Sequence, residues 1–144
     1  MSLTDSYDYD NIFAKILRAE VPCWKVYEDD HALAFLDIYP QGTGHTLVIP
    51  KVAATNLLSF PPDQFASYMT AVQKVAQGIQ RAFEADGITV FQFNGTAGGQ
   101  TVFHLHFHII PRHDGVALIG HGKSSLAENN VLRRNCDLII AALA

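Results

Sequence analysis

The chain has 144 residues, of which 49 % are apolar and only 17 % charged. That length suits one domain with its own core, the composition excludes general disorder, and the few charges are in keeping with surface hidden in an oligomer. Ten Lys and Arg against fourteen Asp and Glu leave a formal net charge of −4, which argues against a nucleic-acid-coating protein. Cys23 and Cys136 lie far apart with no CxxC pair, as expected of free thiols in a reducing cytosol. The N-terminal MSLTDSYDYDN is polar and acidic, without the basic and apolar stretches of a signal peptide. No apolar run is long enough to span a bilayer. The expectation is a cytoplasmic protein with no membrane partner.

Residues 1–9 are expected to form a flexible leader. Asp10 or Asn11 can cap a short helix whose apolar face is Ile12, Phe13, Ile16 and Leu17, ended by Pro22. Segments 24–27 and 32–36 read as strands joined by a turn at 28–31, with Trp24 and Tyr27 in the core or an interface. A loop over 37–44 leads into a β-branched run at 45–49, stopped by Pro50. The clearest helix starts near Pro61-Pro62. It keeps Phe65, Tyr68, Met69, Val72, Val75, Ala76, Ile79 and Phe83 on one side, and Gly87 fits the position just past its end. A strand over 88–94, a glycine-rich turn over 95–99 and the longest β pattern, 101–110, follow, the last stopped by Pro111. Ser125 and Glu128 have capping-box spacing for a final helix over 125–143. The link between the strands at 32–36 and 45–49 is too short for a helical crossover. The pattern therefore predicts an α+β fold, an antiparallel sheet with helices packed on one face.

Five of the seven histidines fall between positions 104 and 121. On a strand, His104, His106 and His108 share one face, with Phe103, Leu105, Phe107 and Ile109 on the other. Three readings follow. The histidines can sit on a half-exposed sheet face with no chemistry. They can bind a metal, although collinear residues spread over about 13 Å would need outside ligands such as His45, His113, Asp114 or His121. Or they can act on phosphorus, a central neutral imidazole attacking while its neighbours offer protons. Gly98-Gly99-Gln100-Thr101, just upstream, would add backbone N–H groups and a hydroxyl for an anion. Asp37, at a strand exit, can either cap its turn or accept from two vicinal hydroxyls. Lys51 and Arg112 read as solvated surface charges.

The run His104-Leu105-His106-Phe107-His108-Ile109-Ile110 resembles the signature of the histidine triad (HIT) family. So do the segments at 12–22, 26–51 and 93–112, in order and spacing, with most likeness to the Hint-like nucleotide hydrolases. The resemblance implies a HIT-like fold, a five-stranded antiparallel sheet, over a domain at 10–113; beyond it this chain continues through 114–144, read as a linker and a C-terminal helix extension packed on the same domain. It also implies a homodimer and no cofactor. The implied activity is that of a nucleotide hydrolase or transferase releasing a nucleoside monophosphate, AMP by expectation, from phosphoramidates, acyl-nucleotides or dinucleoside polyphosphates through a nucleotidyl-histidine intermediate. The alternative is a non-catalytic purine-nucleotide-binding regulatory module. By the same resemblance His106 is the nucleophile. His104 stands on the phosphate side, its carbonyl holding His106, and His108 stands near the leaving group. Asn94, Gly99, Gln100 and Thr101 contact the phosphate or leaving group, and Asp37 the ribose. Ile12, Phe13, Ile16, Phe35, Leu36 and Ile38 form the base pocket, and His45 supports the triad. Many bacterial relatives carry a structural zinc. At three of its ligand positions this chain has Asn11, Ala14 and Ala53, so no metal is expected. Residues 114–124 read as a flexible connection edging the cleft.

Overall fold

The computed structural model describes residues 2–144. Its elements are α1 (Ile12–Leu17), β1 (Lys25–Glu28), β2 (Ala32–Leu36), β3 (Thr46–Pro50), α2 (Phe65–Phe83), β4 (Gly87–Phe91), β5 (Phe107–Arg112) and α3 (Asn129–Leu143), with short 3-10 turns at Leu57–Ser59, Pro62–Gln64 and Thr96–Gly98. The strands form one antiparallel sheet in the order β1-β2-β3-β5-β4. No described helix is long and apolar enough to cross a membrane.

Strand alternation divides the core between two faces. Ala32, Ala34 and Leu36 of β2, Val48 of β3 and Ile109 of β5 pack against Tyr68, Val72, Val75 and Ile79 of α2 and Leu132, Cys136 and Ile139 of α3. Their neighbours Leu33, Phe35, Leu47 and Ile49 point the other way and meet Phe13 of α1. The two long helices thus share one face, as the sequence predicts, and the short α1 covers part of the opposite one. The Tyr68 hydroxyl, buried in the thicker layer, donates to Val48 O at 2.7 Å, which removes the cost of an unpaired polar group.

Several boundaries differ from expectation, each because a backbone group finds a different partner. Asn11 rather than Asp10 caps α1, its Oδ1 accepting from Ala14 N at 2.9 Å. Helix α2 ends on Glu84 in the left-handed region (φ 48°), with Ala85 N–H returning to Gln80 O, so Gly87 opens β4. The Ser125–Glu128 capping box does not form: α3 starts at Asn129, and Ala127 N–H bonds instead to Ile38 O. Pro50 and Pro111 lie within strands, paired with Ala32 and Ile88. Pro111 is tolerated because β3 pairs only with residues 107–109 of β5, leaving that flank without a partner for the missing N–H.

The largest difference concerns the stretch at 101–110. Strand β5 begins only at Phe107. Upstream, Leu105 N–H donates to Ala54 O at 2.8 Å, a carbonyl in the loop after β3, so residues 101–106 run outside the ladder.

Candidate active site

On the α1 face a cavity of about 560 Å³ opens between α1, the exit of β2 and the histidine segment. One wall is apolar: Ile12, Phe13, Ile16, Phe35, Leu36 and Ile38. The other carries His106, His108, Thr101, Val102 and His121, and Asp37 sits between the two.

Hydrogen bonds to the backbone set the protonation of each ring. His106 Nδ1 lies 2.7 Å from His104 O. A carbonyl only accepts, so Nδ1 carries the proton and Nε2 keeps its lone pair. On the second ring, Gln41 N–H donates to His45 Nδ1 at 3.0 Å, which puts the His45 proton on Nε2. That atom is 2.9 Å from His108 Nδ1, so His108 accepts there and holds its own proton on Nε2. His108 Nε2 is buried and has no hydrogen-bond partner among the described residues. The cavity wall therefore offers a nucleophilic nitrogen on His106 and an unpaired N–H donor on His108.

Burial keeps these rings neutral. It pushes the pKa of His45 and of His106 down to about 4, and that of His108 to about 2, because the charged form loses its hydration. The same cause pushes Asp37 up to about 6, opposed by the Tyr39 N–H that its carboxylate accepts at 2.8 Å.

Asp37, His45 and His108 bring candidate ligand atoms within 4.8 Å of one another. They do not fit a cation. A metal on His45 Nε2 would move that ring's proton to Nδ1, where Gln41 N–H would face it donor to donor. The zinc positions raised by resemblance fit no better: Asn11 caps α1, Ala14 is buried, and both nitrogens of the fully buried His104 are taken, Nε2 by Pro50 O at 2.8 Å and Nδ1 by the Tyr7 hydroxyl.

Comparison with known proteins identifies the family. The HIT domain family model matches residues 18–115. The chain belongs to the HIT family. A solved Hit-like protein from Bartonella henselae is 50 % identical, with a TM-score of 0.87 over 95 % of this chain and 99 % of that one. The adenylylsulfatase HINT3 of Arabidopsis thaliana is 43 % identical over 72 % of this chain and 52 % of its own length. The adenosine 5'-monophosphoramidase HNT1 of Saccharomyces cerevisiae is 37 % identical over 79 % and 70 %.

Within this HIT domain the residues expected at the site divide. His106, His108, Asp37, Thr101 and all six apolar residues line the cavity. His104 does not. Its ring turns away because 101–106 is not strand, and only its carbonyl reaches His106. Gln100 is buried, with Oε1 accepting from Gly95 N and Nε2 donating to Thr55 O and Val102 O. Asn94 accepts from Leu57 N and pairs with Gln92. Neither lines the cavity, nor does Gly99. The glycine turn offers fewer free amides than expected: the N–H groups of Gly98 and Gln100 both go to Gly95 O and that of Gly99 to Thr96 O. Gly99 adopts φ 102°, a conformation suited to glycine. His45 stands behind the cavity, reaching it through His108.

Several lining residues fall outside the predicted site, among them Cys23, Leu47, Gln41, Val102 and Ser124. Gln41 carries no local pattern that marks it, because its role rests on a backbone N–H. His121, weighed only as a metal ligand, lines the cavity as part of the segment expected to edge it.

Proposed function

We propose that this HIT protein is a nucleotide hydrolase or transferase that releases a nucleoside monophosphate, AMP in the first instance, through a nucleotidyl intermediate on His106. The family and its relatives that act on adenylyl sulfate and on AMP phosphoramidate support the nucleotide hydrolase class. The observation that carries the finer reading is the pairing of a bare His106 Nε2 with an unpartnered His108 Nε2–H on one cavity wall.

The base lies against Ile12, Phe13, Ile16 and Ile38, and the ribose hydroxyls reach the Asp37 carboxylate. His106 Nε2 attacks the α-phosphorus, and the phosphorus–nitrogen bond of a phosphoramidate breaks. The departing nitrogen takes the electron pair and the proton of His108 Nε2. Water then attacks the phosphorus, delivers hydroxyl to it and returns a proton to His108, while the phosphorus–His106 bond breaks and its electrons go back to Nε2. The His104 carbonyl holds the Nδ1 proton of His106 throughout. No step needs a metal.

The test is hydrolysis of adenosine phosphoramidate with and without EDTA. Turnover that survives chelation and is lost in His106→Ala, with AMP binding retained, supports the reading. AMP binding without turnover on phosphoramidates or dinucleotides favours a regulatory binding module instead. Among the described residues no strand pairs with the outer edge of β4, and Val90 on it is 45 % exposed. We propose that a second copy pairs there, which light scattering reads as a dimer.

A further inference from the structure

The segment between β5 and α3 is a strap held across the loop at 37–45. Ile119 N–H donates to Gln41 O and the Gln41 side-chain amide to Ile119 O, both at 2.9 Å. Ser124 Oγ donates to Tyr39 O at 2.6 Å, and Ala127 N–H to Ile38 O at 2.9 Å. These bonds carry His121 to the cavity wall. Its ring meets Phe93 edge-on at 4.9 Å and stands perpendicular to His108 at 5.8 Å between centroids. It lines the same cavity as His106 and His108.

Charge narrows what that position can do. Among the described residues no lysine or arginine lines the cavity, and its one carboxylate is Asp37. An amine leaving group needs one proton, which His108 holds. An oxyanion leaving group departs with the electron pair of the phosphorus–oxygen bond, takes no proton and must have its charge met by hydrogen-bond donors. With no lysine or arginine in the lining, neutral N–H and O–H donors must meet that charge; the Thr101 hydroxyl is one, and the His121 ring adds an N–H beside His108.

We propose that His121 is a leaving-group residue of this chain, forming with His108 a donor subsite for an oxyanion such as sulfate, phosphate or carboxylate. This rests on nucleotidyl transfer at His106. The strap fixes the reach of the subsite, and Phe93 holds the imidazole plane.

The experiment compares kcat/KM on adenosine 5'-phosphosulfate and on adenosine phosphoramidate for wild type, His121→Ala, His121→Gln and His106→Ala. Removing one preorganised oxyanion donor costs roughly 10²–10³-fold in an enclosed site; His121 is exposed, so His121→Ala is expected to shift the sulfate-to-amide ratio against sulfate by less than that, about tenfold. His121→Gln, which keeps an N–H donor, is expected to recover most of that shift. An unchanged ratio in His121→Ala overturns the assignment, as does a glutamine variant no better than alanine. Loss of both activities in His106→Ala confirms the shared nucleophile. A wild type inactive on both substrates overturns the nucleotidyl-transfer reading, and the assignment of His121 falls with it.

Discussion

His104 and His108 are the same residue type, four positions apart and both buried, yet their surroundings are opposite. Around His104 every valence is filled: Tyr7 on one nitrogen, Pro50 O on the other, His106 Nδ1 on its carbonyl. Around His108 one nitrogen is filled by His45 and the other is left without a partner. A buried donor left unpaired costs roughly 1–3 kcal/mol, and that of His108, unlike that of Asn56, belongs to a residue lining the cavity, where a ligand can complete it. Satisfied valences mark His104 as scaffold, and the open one is what suits His108 to the leaving-group role proposed for it. The contrast teaches that a histidine count identifies a site, whereas the hydrogen-bond inventory assigns the work within it.

The largest effect is expected at the ring between them. His106→Ala should lower kcat by about 10⁴-fold or more, since groups that act as a unit fail together, with little change in thermal midpoint. A variant that retains activity removes the basis for the comparison. Next, His108→Ala should lower kcat on phosphoramidates by roughly 10²–10³-fold, the range for a lost general acid, again with little cost to the fold. His104→Ala should do the reverse in emphasis, destabilising by about 2–4 kcal/mol through a cavity and two orphaned partners. Differential scanning calorimetry beside steady-state kinetics separates the two; equal effects on stability and rate in both variants would erase the distinction.

Proton binding sharpens the same point. The folded pKa values of His45, His104, His106 and His108 lie well below the ordinary histidine value near 6.5. Between those limits the unfolded chain binds more protons, so the stabilising contribution of these groups is present above about pH 6.5 and is lost as pH falls toward 4. Asp37, raised to about 6, acts with the opposite sign between its unfolded and folded values and offsets part of one histidine. The thermal midpoint is expected to fall by roughly 5 °C or more from pH 7 to pH 5. The kcat should hold to about pH 5 and then drop as His106 protonates, whereas KM should rise below about pH 6 as Asp37 loses its charge. An acid limb of kcat near pH 6.5 would place the nucleophile in water rather than in this pocket.

The smallest effect tests the scaffold side alone. Tyr7→Phe removes one hydrogen bond to His104 and should cost about 1 kcal/mol of stability. Tyr7 is a positioning residue, so kcat should fall by about threefold to tenfold with KM unchanged. A change confined to KM would mean that the leader contacts substrate directly.

Much of this was legible in the sequence, and the residues that were not share a cause. The 3.6-residue spacing of Ile12, Phe13 and Ile16 and the alternation in β2 identify the apolar wall because side-chain direction follows from local geometry. The triad stands out by composition alone. What stayed hidden was the choice of backbone partner. Leu105 bonds to Ala54 rather than to a strand, the glycine-turn amides close on Gly95 and Thr96, and the Gln41 N–H orders two imidazoles from a loop. Each depends on a carbonyl or ring brought near by the tertiary fold, and side-chain type carries no record of it. Gln100 and Asn94 were placed at the substrate for the same reason: their amides suit a phosphate as well as they suit the backbone groups they hold.

Gly78 of α2 faces Leu143 at the far end of α3, where even a methyl group would overlap the leucine side chain. That close seating anchors α3 against α2, on the sheet face opposite the cavity. Enlarging that glycine to alanine is met first by the tip of the Leu143 side chain, so its consequence stays at the seam between the two helices, where the last turn of α3 must give way.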